Sequence, residues 1–311
     1  MASVERRVAR QILSTTQTFQ KRSFKLSSIY NKHNEEKCFR VTDKSTLVSY
    51  KVRFASLSSR KSVEREYEAL SYLKRHGVTR TPHIYEVKLD EPPYLITSFV
   101  EGQSIDKSLT WVRRAPEILR ELRQCLTDIH SIEGSYYGHL GGKRYETWLD
   151  FFEVRLWRHV MPLTTAKLLR KTDLQKIQTL FEEARGSLAD VKPMLLHGDV
   201  KAANVLFDQA TNKTTLIDYE LARFGDVDFE FTKLRRMAIR WPEYDKLVAQ
   251  PLLESVFHHD WKREHEAKLS LYDLYHACSF LDFELECGLP VQPYRLKDLE
   301  GLLRKLHSRA Q

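Results

Sequence analysis

Between residues 23 and 100, apolar and polar positions alternate in short runs. Cys38-Phe-Arg-Val-Thr and Leu47-Val-Ser-Tyr-Lys-Val-Arg-Phe carry β-branched and aromatic residues on either side of a turn-like Asp43-Lys-Ser-Thr, which predicts two strands. Ile84-Tyr-Glu-Val and Tyr94-Leu-Ile-Thr-Ser-Phe-Val predict further strands, with Glu91-Pro-Pro as the turn between them. From Ser62 to His76 the period changes. Val63, Tyr67, Leu70 and Leu73 line one helical face, and Gly77 suits the C-terminal cap. Val100-Glu-Gly-Gln breaks the pattern and reads as a hinge.

After residue 105 the pattern is mainly helical. Ile118, Leu119, Leu122, Leu126 and Ile129 share a face between Pro116 and Ile132, and Trp148–Arg158, Asp173–Leu188 and Tyr272–Glu286 read similarly. The exception runs from Met194 to Ile217, where two short apolar runs bracket a polar signature. The prediction is an α+β chain of two lobes: a small β-rich lobe over residues 1–100 and a larger helical lobe over 101–311.

Composition narrows the class. A chain of 311 residues with 42% hydrophobic and 30% charged content can bury a full core. It has no apolar run near the ~20 residues of a membrane span, so no membrane partner is expected. Cys38, Cys125, Cys278 and Cys287 form no C-x-x-C pair, which suggests neither a disulfide framework nor a zinc site and fits a reducing cytoplasm. The net charge of +8 is uneven: residues 1–75 hold 17 Lys/Arg against 7 Asp/Glu, and the rest is nearly neutral. No basic stripe with interleaved aromatics appears, so nucleic acid is not expected, and a basic lobe that meets a polyphosphate accounts for the excess. The first 25 residues, basic and hydroxyl-rich, superficially match a mitochondrial presequence, but Val4, Val8 and Ile12 at helical spacing fit an ordinary N-terminal helix. A monomer or weak dimer is expected.

The polar signature carries the chemistry. Leu195-Leu-His-Gly-Asp-Val-Lys-Ala-Ala-Asn-Val-Leu-Phe holds Asp199 and Asn204, and Thr215-Leu-Ile leads to Asp218. The spacing H-x-D-x-x-x-x-N followed by an apolar-Asp element is that of a kinase catalytic loop and metal-binding strand. Phosphoryl transfer needs these groups: a carboxylate facing the acceptor hydroxyl (Asp199), and oxygen ligands for Mg²⁺ (Asn204 and Asp218). Gly198 lets the backbone approach closely at the loop. Lys51 lies in the apolar-flanked Val48-Ser-Tyr-Lys-Val, and a lysine there needs a counter-charge. Glu66, flanked by Glu64 and Glu68 on the following helix, is the candidate, leaving the ammonium directed at phosphates. The alternative is a surface lysine beside a solvated acidic helix face.

These residues together resemble the aminoglycoside phosphotransferase family of small-molecule phosphotransferases, whose fold resembles the eukaryotic protein kinases. The family's H-G-D-x-x-x-x-N is matched by His197, Gly198, Asp199 and Asn204, and its I-D-[WFY]-E by Ile217-Asp218-Tyr219-Glu220. Its G-D-P-x-x-[DE]-[LF] is matched in part by Gly225-Asp226 and Glu230-Phe231, with Val227 replacing the proline. Leu126-Thr-Asp-Ile-His130 resembles a helix ending L-x-x-[LI]-H, and Tyr137-Gly-His-Leu with Thr147-Trp148 resembles Y-G-x-L before a tryptophan-centred helix start. The resemblance implies an ATP- and Mg²⁺-dependent kinase acting on a hydroxyl of a small molecule, either an antibiotic such as an aminoglycoside, as in resistance, or a metabolite. It also implies that the hinge Thr97-Ser98-Phe99-Val100 presents backbone groups of Ser98 and Val100 to adenine. In relatives, acidic groups in the position of Asp273, Asp282, Glu284 and Glu286 hold cationic acceptors; a solvated helix face is the alternative.

Two features depart from the family. Residues 23–46 contain no glycine where many relatives have a glycine-bearing nucleotide loop, near Ser27 to Glu36. Lys201 stands where serine/threonine protein kinases carry lysine, and there it can contact the transferring phosphate. A protein or lipid-glycan kinase and a pseudokinase-like binding module therefore remain as rivals. D-F-G and G-x-G-x-x-G are absent and no A-P-E follows Asp218, the one at Ala115-Pro116-Glu117 lying upstream of the catalytic signature, against a protein kinase. His258-His259-Asp260 reads as a surface turn rather than a metal site, since adjacent histidines point to different sides.

Overall fold

The computed structural model describes residues 2–29, 37–107, 109–238, 242–256 and 263–309. The expected glycine-free loop falls largely on 30–36, and His258-His259-Asp260 also lies outside the described residues. Strands β1 (Phe24–Ile29), β2 (Lys37–Asp43), β3 (Ser49–Phe54), β4 (Ile84–Lys88) and β5 (Tyr94–Ser98) form an antiparallel sheet in the order β1-β2-β3-β5-β4. Helix α1 (Ala2–Leu13) covers one face of it and α2 (Arg60–Arg75) lies by the other.

The two-residue period of β3 sorts its side chains. Tyr50, Val52 and Phe54 enter the core beneath α1 with Phe39, Val41 and Phe19, so Lys51 and Arg53 face α2. The α1 face differs from the one expected. Ala9 and Leu13 are buried, Ile12 is half-buried and Val8 is 48% exposed, because the chain runs from Leu13 through the buried Thr16 and Phe19 directly into β1. Gly77, at φ +77°, follows α2 in the left-handed conformation a helix end uses.

The second lobe is mainly helical: α3 (Ala115–His130), α4 (Trp148–Thr165), α5 (Lys171–Ala189), α6 (Val227–Ala238), α7 (Pro242–Tyr244), α8 (Gln250–Val256), α9 (Arg263–Glu286) and α10 (Pro293–Arg309). Among the described residues α9 is central, packing against α4, α5, α6 and α10 with Leu271, Tyr272, Leu274, Cys278 and Leu281 buried. Apolar positions all round are what such a buried helix needs. Six short strands complete the lobe: β6 (Gln103–Ser104), β7 (Gly138–His139), β8 (Met194–Leu196), β9 (Val205–Asp208), β10 (Lys213–Leu216) and β11 (Arg223–Gly225). They pair as β10-β9-β6 and β7-β11-β8. No helix among the described residues is long and apolar enough to cross a membrane.

Trp148 locks the lobe. Its indole N–H donates to the Tyr272 hydroxyl at 2.6 Å, and that hydroxyl donates to Asp226 Oδ2 at 2.7 Å. Lys268 neutralises Asp226 and Asp228, each at 2.8 Å. The ring presses so close to Gly225 that a Cβ there would lie 2.2 Å from it. Trp148→Ala is therefore expected to cost about 3–5 kcal/mol, read from urea unfolding with an unchanged denaturant slope.

Candidate active site

The polar segment after β8 is shaped by one buried carboxylate. Glu230, on α6, accepts the backbone amides of His197 (3.1 Å) and Gly198 and contacts His130 Nε2 at 2.8 Å. Burial opposes its ionisation, but His130, His197 and the Gly198 amide hold its carboxyl below the usual range. Gly198 sits at φ +81°, and a Cβ there would lie 2.1 Å from the Leu221 carbonyl oxygen. His197 is fully buried, and burial drives it below its usual value. Its Nδ1 accepts the Asp199 amide at 3.2 Å, so Nε2 donates to the Ile217 carbonyl at 3.0 Å, with Tyr219 packed against the ring. The loop is thereby tied to the segment that carries Asp218.

Asp199 lies between two lysines. Lys201 Nζ is 2.5 Å from Oδ2 and Lys233 Nζ is 2.9 Å from Oδ1, while Asn204 Nδ2 donates to Oδ2 and to the Asp199 carbonyl, both at 2.9 Å. Burial opposes ionisation of Asp199, but Lys233 and Lys201 outweigh it and hold the carboxyl well below the usual range. Lys233, on α6, also donates to the Gly198 carbonyl at 2.7 Å. It falls outside any motif, and its position becomes legible only once α6 docks on the loop.

Lys51 Nζ stands 3.8 Å from Glu66 Oε1. Of the three glutamates on that stretch, Glu66 is the buried one. Its shorter partner is Arg53, at 2.6 Å on Oε2, and Arg53 also reaches Glu220 Oε2 at 2.5 Å and the Ser62 hydroxyl. Ser62 donates to Glu220 at 2.5 Å. Arg53 thus joins β3, α2 and the segment after Asp218, and leaves Lys51 loosely held. Its sequence signal was its place two residues after Lys51, on the same face of the strand.

Asn204 and Asp218 form the candidate cation site. With Nδ2 committed to Asp199, Asn204 keeps its Oδ1 as a free acceptor. Asp218 is held in the left-handed conformation at φ +72°, a sparsely populated state that marks functional sites. Burial, with Glu220 and Glu66 adding to it, raises its carboxyl to about 7. A carboxylate without enough positive charge around it, on a segment tied to Asn204 by the Ile217 amide on the Asn204 backbone carbonyl (3.1 Å), offers with Asn204 Oδ1 the hard oxygen ligands Mg²⁺ takes. The residues fit that ion. Among the described residues no group of three His, Cys, Asp or Glu side chains forms a metal cage.

The structure brings Lys51, Glu66, Asp199, Lys201 and Asp218 into one electrostatically coupled group, with Asn204 hydrogen-bonded to Asp199. Ser98 and Val100 stand apart from it at the end of β5. The Ser98 amide donates to the His83 carbonyl (2.8 Å), its hydroxyl accepts the His83 amide (2.9 Å), and the Phe99 amide donates to Ser49 (3.1 Å). Phe99 lies under the Arg40 guanidinium at 4.2 Å. Asp273, Asp282, Glu284 and Glu286 of α9 have basic neighbours, although the buried Oδ1 of Asp282 has no partner among the described residues. Arg235 and Arg236 hold Asp273, His159 meets Asp282 at 2.7 Å, Arg295 meets Glu284 at 3.1 Å, and Arg158 lies 4.0 Å from Glu286. A cavity of about 340 Å³ lined by Met194, Asp226 and Lys268 opens at the opposite end of β8 from Asp199 and takes no part in this group.

Fold and site together define a small-molecule phosphotransferase with a protein-kinase-like architecture. The chain belongs to the phosphotransferase enzyme family, whose model matches residues 31–265. Among solved structures it is similar to a thermostable mutant of aminoglycoside phosphotransferase APH(4)-Ia in ternary complex with AMP-PNP and hygromycin B, at 18% identity and a TM-score of 0.67, covering 94% of this chain and 98% of that one. It is also similar to a putative fructosamine-3-kinase from Haemophilus somnus, at 14% identity and a TM-score of 0.69 with 95% of each chain covered. A Plasmodium vivax ethanolamine kinase matches at 13% identity and a TM-score of 0.62, covering 91% of this chain and 82% of that one. No curated protein matches the chain significantly.

Gly198→Ala is expected to lose at least ~2 kcal/mol of stability and most turnover, because the alanine methyl cannot share space with the Leu221 carbonyl; denaturant titration and a rate assay check both. A protonated Asp218 cannot ligate a cation. Mg²⁺-dependent nucleotide affinity should therefore fall as pH drops below 7, by about tenfold per unit at the acidic limit, and Asp218→Asn should flatten the profile.

Proposed function

We propose that the protein transfers the γ-phosphoryl group of ATP, with Mg²⁺, to a hydroxyl of a small molecule. The nucleotide would lie between residues 1–100 and 101–311. The observation that carries this reading is the arrangement around Asp199: Lys201 and Asn204 on Oδ2, Lys233 on Oδ1, and Asp218 electrostatically coupled to it. Four free cysteines favour a reducing cytoplasm as the setting.

Each group has a chemical task in this reading. Lys51, held at 3.8 Å by Glu66 while Arg53 takes the closer contact, extends to the α- and β-phosphates. Lys201 stays charged because Asp199, Asp218 and Glu220 outweigh its burial, and it can offset negative charge on the group in transfer. Asn204 and Asp218 would hold Mg²⁺, which when bound neutralises phosphate charge. The Val100 amide, with no partner among the described residues, is the hinge donor for adenine.

Asp199 orients more than it deprotonates. Two ammonium groups make its carboxylate a weak base, and in a loose transition state the hydroxyl proton leaves late. Oδ2 is occupied by Lys201 and Asn204, so Oδ1, which has only Lys233, is the atom that accepts the acceptor's hydroxyl proton.

Asp199→Ala should lower ADP formation by about 10²–10⁴-fold while Mg-ATP still binds. Near-normal turnover in that variant would overturn the assignment. Asp218→Ala should bind ATP equally with and without Mg²⁺, as measured by calorimetric titration.

A further inference from the structure

The Oδ1 side of Asp199, where an acceptor must approach, is basic. Behind Lys233, the pairing of β11 with β7 sets Arg223 directly opposite His139. Arg223 is 4% exposed, yet among the described residues its only hydrogen bond runs from Nε to the Leu221 carbonyl at 3.1 Å; otherwise the guanidinium lies between the rings of Phe151 (6.0 Å) and Phe229 (5.7 Å). Arg155 on α4 contacts His159 at 3.4 Å, and its buried Nε has no partner. Neither arginine has a carboxylate within pairing distance among the described residues. His139 also has a buried Nδ1 without a partner.

Buried guanidinium groups are ordinarily paired, because removing a charge from water costs several kcal/mol. Here burial, with Arg155 adding to it, pushes the Arg223 guanidinium down to about 10. Burial and the nearby Arg223, Arg65, Arg155 and Lys233 likewise push His139 well below its usual value. The charges acting most on His139 are positive, whereas Arg223 also faces Glu230 and Asp199, and Arg155 reaches Asp282 only through His159. Of the α9 acids proposed to hold a cationic acceptor, Asp273 and Glu284 are paired with arginines, whereas Asp282 has only His159 on Oδ2 and its buried Oδ1 has no partner among the described residues.

We propose that Arg223 and Arg155 form an acceptor subsite for an oxyanion, so that the hydroxyl compound phosphorylated by this protein carries a carboxylate or a phosphate of its own. The inference rests on the phosphotransferase reading above and names its substrate class. Two guanidinium forks beside Asp199 would fix the anionic end of the acceptor and leave its hydroxyl at Oδ1, with Lys233 adding attraction. A polycationic aminoglycoside would meet repulsion at the same place.

The test is calorimetric titration of the Mg-AMP-PNP-loaded protein with four hexoses of matched size: glucuronate, glucose 6-phosphate, glucose and glucosamine. At least one anionic sugar should bind about tenfold tighter than glucose, with glucosamine weakest, and which of the two binds identifies carboxylate or phosphate. Arg155→Gln and Arg223→Gln should each reduce that preference to less than about threefold, and Arg223→Lys should restore part of it. Because Arg223 is buried, the more exposed Arg155 variant serves where Arg223→Gln does not fold. Equal affinity across the four sugars, preference for glucosamine, no binding of either anion, or an unchanged preference in Arg155→Gln would each overturn the proposal. Failure of the phosphotransferase reading is separate: it would show as wild-type protein that neither binds Mg-ATP nor forms ADP.

Discussion

The contact of Glu230 with the backbone of His197 and Gly198 is the constraint on which the site depends. A buried carboxylate is costly unless its oxygens are fully used, and here two amides and an imidazole use them. That satisfaction docks α6 on the loop after β8, and three consequences follow. Gly198 is forced into its left-handed turn, His197 is aimed at the Ile217 carbonyl, and Lys233 arrives one turn along α6 beside Asp199. One buried carboxylate thus sets the position of the other, Asp199.

Charge is arranged in two unequal halves around Asp199. On the nucleotide side, Glu66, Asp218 and Glu220 crowd together, with Arg53 and Lys51 only partly balancing them, so Asp218 resists ionisation until a cation arrives. On the opposite side Lys233, Arg223 and Arg155 gather, with Asp199 and Glu230 facing Arg223 and Asp282 reaching Arg155 only through His159. That gathering of cations suits the proposed pairing of a metal-bound polyphosphate with an anionic acceptor. Arg53 has a second effect. By linking β3, α2 and Glu220 it couples the sheet lobe to the metal-side segment, so the relative position of the lobes is partly an electrostatic matter.

Much of this was legible in the chain. The alternation of β3 places Lys51 on the face opposite Tyr50, Val52 and Phe54, and helical spacing brings Glu66 round to meet it. Gly198 and the spacing of Asp199, Asn204 and Asp218 mark the loop. Legibility ended where partners come from distant elements. Lys233 looks like an ordinary helix lysine until α6 is docked, and Arg53 looks like a strand-edge arginine until Glu220 is folded against it. The α1 face was displaced by one residue because the burial of Phe19, rather than the helix period, decided its rotation.

The sequence by itself determined the sheet, most of the helices and the polar loop around Asp199, because these rest on short-range rules: a period of two or 3.6, and polar residues held at fixed spacing along one loop. Only the tertiary structure decided what surrounds them. Whether Asp273 is free to bind a cation depends on Arg235 and Arg236, 38 and 37 residues away. Whether Arg223 is paired depends on which strands flank it. Electrostatic character is a sum over neighbours in space, and in this chain those neighbours are supplied by elements that spacing along the sequence does not relate.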